Sequence, residues 1–260
     1  MPAALLVVDV QHDFLPPKGA LAVPSGDHIL PVCHHLLDRG DWALVVASQD
    51  YHPSAHISFA STHDLPAFST THVADPRSGT RDKTKEQELW PEHCVQGTRG
   101  GEIEEGVKSR MDARRGGGTR CEVVRKGIDR DLDAYSSFAT PLSHPSSSPS
   151  PLTQLLLDAE IDTLVVVGLA TDFCVRHSVL DALSLPWARS STASSEERDS
   201  GTSAAGPGHV LVVREGTRGV DPERSERVLR ELEEEGARVV DVEEALRVVG
   251  RAAARGGGGE

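Results

Sequence analysis

TLVVVGLATDFCVRHSVLDAL, residues 163–183, combines the two patterns from which the fold follows. An apolar run at 164–167 reaches Gly168, and apolar residues then recur at helical spacing, which predicts a buried strand, a short turn and a helix. Cys174 lies in the first turn of that helix, where free backbone N–H groups and the positive end of the helix dipole favour an anion. We therefore expect an easily ionised thiol that can act as a nucleophile. The alternative for a lone cysteine is a small, inert, buried side chain, which is the commoner case.

Alternating strands and helices define the expected architecture. Further strands are predicted at residues 3–10, 42–48, 119–126, 209–214 and 238–242, and helices at residues 28–37, 150–158 and 222–235. Such alternation is typical of a parallel sheet covered by helices on both faces. We predict an α/β, three-layer Rossmann-like fold with a six-stranded, mainly parallel sheet flanked by helices. In such sheets, ligands bind beyond the carboxyl ends of the strands.

Length and composition predict one domain with flexible additions. The chain has 260 residues, enough for one large α/β domain, to which we assign residues 1–250. Residues 141–151 are rich in Ser and Pro, and residues 188–208 are poor in apolar side chains, so both are expected to be flexible insertions without a chemical role. Residues 251–260 contain a run of glycines and are expected to be a disordered tail.

The charge balance restricts the classes of partner. A formal charge of −13 and a pI near 5.4 give no broad positive field, so nucleic acid and membrane surfaces are not expected partners. A small-molecule ligand is expected instead, and a homo-oligomer stays open. The four cysteines lie far apart without a CxxC pair, which favours a reducing compartment. Because no signal peptide or transmembrane helix is evident, we expect a cytoplasmic protein, with the nucleus and the peroxisome as open alternatives.

The segment QDYHPSAHISF contains candidate metal ligands. In an extended chain, residues two apart point the same way, so Asp50 and His52 can present a carboxylate and an imidazole to one ion. His56 can join them, and the later segment WPEHC can add His93. A carboxylate with two or three imidazoles suits zinc, iron or manganese better than calcium or magnesium. The alternative is a set of histidines in a polar surface loop. Cys94 is a further candidate ligand, for which a packing role is the commoner one.

Two charged residues at predicted strand ends are candidates for catalysis. Asp9 lies in an otherwise apolar strand, and because burying an unpaired carboxylate is costly, it needs a cation, a backbone donor or a proton that it carries. Lys126 ends another strand, where a lysine can keep a neighbouring thiolate ionised and stabilise charge in the transition state. The alternatives are a structural pairing of Asp9 with a backbone turn and a solvated surface position for Lys126.

Five segments occur in a characteristic order along the chain. They are DVQHDF (residues 9–14), QDYHPSAHISFA (49–60), WPEHCVQGTRG (90–100), RKGIDRDLDAYSSF (125–138) and GLATDFCV (168–175). Together they resemble the nicotinamidase/pyrazinamidase branch of the isochorismatase-like cysteine hydrolases, with weaker similarity over residues 209–223. The two insertions are the main departures from the family pattern, and they leave the five segments intact.

The resemblance implies a role for each matching residue. Asp9, Lys126 and Cys174 would form a catalytic triad. The backbone N–H groups of Ala170 and Cys174 would form an oxyanion hole, next to a cis peptide bond between Leu169 and Ala170. One divalent metal ion, with zinc favoured over iron or manganese, would bind the substrate side of the site. Its ligands would be Asp50, His52 and His93, with His56 as a further candidate. The residues contacting the substrate would be Phe14, Trp90 and Tyr135.

By this resemblance, the chain is expected to be an amidohydrolase. It would convert nicotinamide or pyrazinamide to the acid and ammonia through a cysteine thioester, in NAD salvage. One alternative is another amide or carbamoyl hydrolase of the same fold, of the N-carbamoylsarcosine or ureidoacrylate type, which the metal-type histidines disfavour. An isochorismate ether hydrolase is disfavoured because Cys174 occupies the nucleophile position. From a different class, a catalytically inactive binding module would have the same fold, and an activity assay distinguishes it.

Overall fold

The computed structural model describes residues 2–78, 83–189, 205–206 and 208–253. Its strands are β1 (Ala3–Val8), β2 (Leu44–Asp50), β3 (Thr70–Ala74), β4 (Thr84–Glu88), β5 (Arg120–Lys126), β6 (Thr163–Leu169), β7 (Ala188–Arg189), β8 (Ala205–Gly206), β9 (His209–Arg218) and β10 (Arg238–Val240). Its helices are α1 (Leu30–Arg39), α2 (Glu105–Gly116), α3 (Pro151–Asp158), α4 (Arg176–Ser184), α5 (Pro222–Glu234) and α6 (Val242–Ala253).

Six strands form one central sheet in the order β10-β9-β6-β1-β2-β5, and every neighbouring pair is parallel. Strands β1 and β6 lie in the middle, and all of their residues are buried. Their nearly continuous apolar sequences suit this position, because a central strand of a parallel sheet is covered on both faces. The predicted three-layer α/β fold with a six-stranded sheet is confirmed, and the sheet is parallel throughout.

Helices cover both faces of this sheet. Helix α1 packs against α2 and α6, whereas α4 packs against α5. The chain runs from the centre of the sheet in two directions, through α1 and α2 towards β5 and through α4 and α5 towards β10. Because crossovers between parallel strands are right-handed, the two directions put their helices on opposite faces. The strand order reverses between β1 and β6, which is where the ligand crevice of such sheets lies.

Helix α2 and the antiparallel hairpin of β3 and β4 are absent from the sequence-based predictions. The buried residues of α2 are Val107 and Met111, and those of the hairpin are Val73 and Gln87. With so few apolar positions, neither the helical nor the strand period leaves a signal in the sequence. Strand β9 is also longer than predicted, because it continues beyond a register shift in its pairing with β6.

The expected insertions and tail lie partly within the described residues. Residues 141–149 form turns, and Ser150 caps α3 by accepting a 3.1 Å hydrogen bond from the Thr153 amide. Strands β7 and β8 pair antiparallel at the two ends of the second insertion, whose residues 190–204 and 207 lie outside the described residues. Helix α6 includes residues 251–253, and the rest of the expected tail lies outside the described residues. Within the described ranges, no helix has the length and apolar character needed to cross a membrane.

Candidate active site

The carboxyl ends of four adjacent strands bring polar side chains to one buried point. Asp9 follows β1, Asp50 ends β2, Lys126 ends β5, and Cys174 lies in the turn after β6. Lys126 Nζ lies 3.0 Å from Asp9 Oδ2, 2.5 Å from Asp50 Oδ1 and 3.4 Å from Cys174 Sγ. The most exposed of the four residues is Cys174, at 6%. The structure therefore brings together side chains that the sequence separates by up to 165 positions (174 − 9).

Asp9 is held by hydrogen bonds from a neighbouring strand. Its backbone is left-handed, with φ 48°, so the chain turns away from the direction of β1 at this residue. The Ser48 hydroxyl donates to Asp9 Oδ1 at 2.6 Å and accepts from the Asp9 amide at 3.2 Å. The second carboxylate oxygen, Oδ2, faces Lys126. One oxygen is thus fixed by the hydroxyl while the other stays beside the ammonium group.

Gln11 holds the backbone of Asp50 in place. Its side-chain amide donates to Asp50 O at 2.8 Å and to Gly101 O at 2.9 Å, and its carbonyl accepts from the Asp50 amide at 2.9 Å. A buried amide with its hydrogen bonds satisfied in this way makes the surrounding backbone rigid. Sequence reasoning missed Gln11 and Ser48 because their roles depend on contacts 39 positions away.

Burial of several charges together shifts their pKa values. Burial raises the pKa of Asp9 although Lys126 opposes this, and the charge of Asp50 raises it further. Burial also acts against the charge on Lys126, but Asp50 and Asp9 outweigh it and raise the pKa of Lys126 well above its ordinary value. For Asp50, the effect of burial is outweighed by Lys126 and His52, and its pKa is lowered. Asp50 is thus firmly ionised, whereas Asp9 accepts a proton more readily than an ordinary carboxylate.

The Cys174 thiol contradicts the prediction of easy ionisation. Burial raises the pKa of Cys174 well above its ordinary value, and the charges of Asp9 and Asp50 raise it further, although Lys126 lowers it. The sequence-based prediction is wrong for the resting site because it counts only the local end of the helix. The sulfur is in fact enclosed with two carboxylates, and burying an additional negative charge there is unfavourable. The resting group is a thiol, and it needs a base to take its proton.

A short π-helical turn after β6 contains Cys174. Residues Thr171–Val175 form a π-helical turn, in which the Val175 amide donates to Ala170 O at 3.1 Å, and α4 follows directly. The peptide bond between Leu169 and Ala170 is cis, as the resemblance implies. Cys174 therefore lies on the N-terminal side of α4, as the sequence predicts, but in a wider turn than that of an α-helix.

A second group of side chains, Asp50, His52 and His93, lies beside the first. Each offers a donor atom, and these atoms lie within 4.8 Å of one another. His52 Nδ1 lies 2.9 Å from Gly127 O, and His93 Nδ1 lies 2.7 Å from Pro91 O. Because a carbonyl oxygen can only accept, each Nδ1 carries a proton, and in the neutral rings each Nε2 keeps its lone pair. Histidines that bind metals are oriented in this way by a partner on the outer nitrogen.

The charges of this group also suit a cation. Burial lowers the pKa of His93 to about 4, so its ring is neutral at neutral pH. Burial acts in the same direction on His52, but Asp50, whose Oδ2 lies 3.7 Å from His52 Nε2, raises the pKa of His52. A carboxylate that favours a proton on His52 also favours a metal cation between the same atoms. One carboxylate and two imidazoles form a donor set that fits zinc, iron or manganese.

His56 lies against this group without belonging to it. Its ring stacks on that of His52, with the ring centroids 4.1 Å apart. His56 Nδ1 lies 2.7 Å from Ser58 Oγ, and Nε2 lies 3.2 Å from Leu132 O. A role for His56 as a fourth ligand therefore requires one of these hydrogen bonds to break. Cys94 is fully buried and belongs to none of the potential ligand groups in the described part of the chain.

Members of both groups line one pocket. Cys174, Asp50, His52 and His93 contribute to its wall. The rest of the wall is mainly apolar or aromatic and consists of Phe14, Leu21, Val23, Ser58, Trp90, Asp133, Tyr135, Ala170, Phe173 and Val220. The three residues predicted to contact a substrate are all among them. A small flat molecule with one or two polar groups fits a pocket of this character.

Hydrogen bonds and ring contacts fix the aromatic part of the wall. Trp90 Nε1 donates to the Tyr135 hydroxyl at 3.1 Å, and the Trp90 and Phe173 rings are nearly perpendicular, with their centroids 5.1 Å apart. Tyr135 stacks on His177, at a centroid distance of 5.3 Å. Sequence reasoning did not single out Phe173 or Asp133. Phe173 lies inside the segment GLATDFCV and Asp133 inside RKGIDRDLDAYSSF, so their membership of these segments was the one sequence feature that could have indicated a place in the site.

Comparison with known proteins covers nearly the whole chain. The isochorismatase domain family model matches residues 133–244. The nicotinamidase of Escherichia coli (strain K12) is 35% identical over 242 residues, which are 91% of this chain and 93% of that protein. The crystal structure of the yeast nicotinamidase bound to the inhibitor nicotinaldehyde has a TM-score of 0.74 and 30% identity, and covers 92% of this chain and 99% of that chain. The pyrazinamidase of Pyrococcus horikoshii in complex with zinc has a TM-score of 0.62 and 27% identity, and covers 93% and 99% of the two chains.

Proposed function

This chain belongs to the nicotinamidase family of isochorismatase-like hydrolases, and we propose that it hydrolyses nicotinamide to nicotinate and ammonia through a thioester on Cys174. One observation carries the proposal: a carboxylate of raised pKa and an ammonium group lie beside a thiol that lines a pocket, and the same pocket is lined by a metal-type donor set. Asp9 is the proposed base and acid, and Lys126 is the proposed electrostatic partner.

The first step is transfer of the Cys174 proton to Asp9. The raised pKa of Asp9 brings it closer to neutrality, where a carboxylate is a better proton acceptor during turnover. The thiolate forms only as it attacks, 3.4 Å from Lys126 Nζ, whose charge compensates the new negative charge. The attack creates a carbon–sulfur bond to the amide carbonyl and puts the negative charge on the carbonyl oxygen.

The oxyanion is proposed to accept hydrogen bonds from the backbone N–H groups of Ala170 and Cys174. Each well-aligned donor of this kind is typically worth about 3–4 kcal/mol in the transition state. Protonated Asp9 then gives its proton to the amide nitrogen, the carbon–nitrogen bond breaks, and ammonia leaves. Asp9 next takes a proton from water, the resulting hydroxide adds to the thioester, and the carbon–sulfur bond breaks to release nicotinic acid, which loses its proton to solvent and becomes nicotinate. The thiolate recovers its proton from Asp9.

The pocket wall is proposed to orient the ring of the substrate. Phe14, Trp90 and Tyr135 provide an aromatic surface, and their positions fix the ring plane so that the amide carbonyl faces Cys174. Asp50, His52 and His93 are proposed to hold one divalent metal ion, most simply zinc given the donor set. When bound, such an ion supplies a Lewis-acidic point that the pyridine nitrogen or a water molecule can bind.

The cellular setting is also part of the proposal. All four cysteines are free, as a thiol-dependent enzyme of a reducing compartment requires, and we place the activity in the cytoplasm and in NAD salvage. Pyrazinamide, which differs from nicotinamide by one ring nitrogen, is proposed as a second substrate.

The test is ammonia release from a small panel of amides by the purified protein. We expect hydrolysis of nicotinamide and pyrazinamide, and weak or no hydrolysis of carbamoyl compounds such as N-carbamoylsarcosine. Each reaction is repeated after treatment with a chelator and again after adding Zn²⁺. Failure to hydrolyse nicotinamide under all three conditions would rule out the substrate assignment. Preferential hydrolysis of a carbamoyl compound would replace it.

A further inference from the structure

Asp172 lies two residues before the nucleophile and is almost fully buried, at 1% exposure. Its carboxylate accepts hydrogen bonds from two successive backbone amides of a distant segment. The Val220 amide donates to Asp172 Oδ1 at 2.9 Å, and the Asp221 amide donates to Oδ2 at 3.2 Å. Hydrogen bonds to a buried carboxylate are stronger than those between neutral groups, so this connection is firm. The catalytic steps described above give Asp172 no role.

The segment that Asp172 holds, residues 219–224, consists of the connection from β9 to α5 and the first residues of α5. A Cβ atom added at Gly219 would lie 2.6 Å from Asp172 Oδ1 and 1.9 Å from Ser225 Oγ, so a residue with a side chain cannot approach so closely. Asp221 then starts α5, since its side chain accepts a 2.8 Å hydrogen bond from the Arg224 amide. The backbone of the 219–224 segment is therefore defined from both ends.

A second contact fastens the same segment to the same turn. The guanidinium carbon of Arg224 lies 4.5 Å from the centroid of the Phe173 ring, a cation–π contact. Phe173 lies between Asp172 and Cys174 in sequence and is itself part of the pocket wall. Asp172 and Phe173 are consecutive residues of the Thr171–Val175 turn, and both hold the 219–224 segment. Asp172 contacts the backbone of the segment, and Phe173 contacts the side chain of Arg224.

Val220 is the residue of this segment that reaches the pocket. It lines the wall together with Phe173 and Cys174, and it is 37% exposed, which puts it at the mouth of the pocket. The Val220 side chain therefore forms the apolar boundary of the pocket at its mouth. Its position depends on its own amide, which Asp172 holds.

We propose that Asp172 is a positioning residue that sets substrate selectivity by holding Val220 against the pocket. The carboxylate couples the turn that carries Cys174 to the wall that limits the size of the ring. Amides with an unsubstituted six-membered ring fit inside this wall, and ring-substituted amides meet Val220. This proposal rests on the proposed nicotinamidase function, because selectivity is defined by that reaction.

The test compares kcat and KM for nicotinamide, 5-methylnicotinamide and 6-methylnicotinamide. The variants are Val220→Ala, Asp172→Asn and the double variant, with Arg227→Ala, on the exposed face of α5, as the matched control. Val220→Ala and Asp172→Asn both lose the apolar contact of Val220 with the substrate ring. Each is therefore expected to raise KM for nicotinamide on the order of fivefold while leaving kcat within about twofold. The ratio of kcat/KM for at least one methylated amide to that for nicotinamide should rise in Val220→Ala and in Asp172→Asn. The double variant should be no more affected than Asp172→Asn, because the wall is already displaced.

The outcomes separate the two proposals. If the wild-type protein does not hydrolyse nicotinamide, the proposed function fails. If it does, and Val220→Ala keeps the wild-type KM and selectivity, the positioning proposal alone is overturned. It is also overturned if Asp172→Asn lowers kcat while KM and the selectivity ratio stay unchanged. Should Asp172→Asn not fold, Arg224→Ala takes its place. A shift of the selectivity ratio in the same direction supports the proposal, and an unchanged ratio contradicts it.

Discussion

Lys126 balances the buried charges of the active site. It is 2% exposed and contacts the carboxylates of both Asp9 and Asp50, so two negative charges share one positive partner. Its Nζ also donates to Ala134 O at 3.2 Å. Removing the ammonium group would leave the two carboxylates in a buried site without the partner that they share.

Lys126→Met is therefore expected to destabilise the fold as well as abolish activity. Breaking a buried ion pair by removing one partner typically costs about 3–5 kcal/mol. The free energy of unfolding, measured by urea denaturation, should fall by roughly this amount. Lys108→Met, at an exposed position of α2, is the control and should change the stability little. A Lys126→Met protein with wild-type stability would show that the two carboxylates are not both charged in the native state.

Ser48 tunes the proposed base. Its hydroxyl donates to Asp9 Oδ1, which stabilises the ionised carboxylate and lowers the pKa of Asp9 against the effect of burial. Because the base must be ionised to take the thiol proton, activity is lost as the pH falls through the pKa of Asp9. In Ser48→Ala that pKa rises further, so the acid limb of the kcat/KM profile should move to higher pH by about one unit.

The pH profile of nicotinamide hydrolysis measures this shift. Ser109→Ala, which removes a hydroxyl from the exposed surface of α2, should leave the acid limb where it is. An acid limb in Ser48→Ala that coincides with that of the wild-type protein would mean that Asp9 is not the group whose ionisation limits the reaction.

Sequence patterns predicted the candidate site residues at the ends of strands, but not the residues that hold them in place by hydrogen bonds. Asp9, Lys126 and Cys174 each lie at or just past the end of a predicted strand, so their convergence follows from the order of strands and helices. Ser48 and Gln11 are ordinary polar residues in sequence, and their roles exist only through contacts between neighbouring strands. The direction of the thiol pKa could not be predicted either, because it depends on how many charges are buried around the sulfur.

Among the elements, the predictable ones are those that bury an apolar face. The six strands of the sheet are apolar enough to be found from sequence, and their predicted ends differ from the observed ones by a few residues. Helix α2 and the β3–β4 hairpin lie at the surface and bury few side chains, so the sequence lacks the period that reveals a helix or a strand. Such elements are defined by the surface on which they pack.

The second insertion is expected to be dispensable for catalysis. Ala188–Arg189 pairs antiparallel with Ala205–Gly206, and Arg189 lies opposite Ala205. A two-residue Asn-Gly turn can therefore join Arg189 to Ala205 in place of residues 190–204. The shortened protein should keep kcat/KM for nicotinamide within about twofold and its melting temperature within a few degrees, as typical changes away from buried features do. A variant with a Gly/Ser linker of the original length is the control. Loss of activity in the shortened protein alone would assign this segment a role in the site.

At the scale of the whole molecule, the metal-type donor set joins the central sheet to the chain that follows β2. Asp50 ends β2, while His52 and His93 come from the chain that follows, so an ion bound by all three would tie a long connecting segment to the sheet. A ligand that binds only the folded state at 100 times its Kd stabilises that state by about 2.7 kcal/mol. For a chain of this size, that corresponds to a melting temperature roughly 5–10 °C higher.

Removing the metal should therefore lower the melting temperature, and adding Zn²⁺ should restore it. The measurement is thermal unfolding of protein treated with a chelator, before and after the addition of Zn²⁺. In His93→Asn the response to Zn²⁺ should be lost, whereas His28→Asn, at an exposed position, should respond like the wild-type protein. An equal response in His93→Asn would move the ion away from the proposed ligands.

The central claim is that Cys174 is the nucleophile. The sheet and the turn after β6 position its sulfur, and the buried charges around it set the pKa of its thiol. The most direct measurement is ammonia release from nicotinamide by purified Cys174→Ala, with Cys121→Ala, a buried cysteine of β5 outside the pocket, as the matched control. We expect Cys174→Ala to lose about four orders of magnitude or more in kcat, as removal of a catalytic nucleophile does, and Cys121→Ala to stay active. Substantial turnover by pure Cys174→Ala would contradict a mechanism through a cysteine thioester.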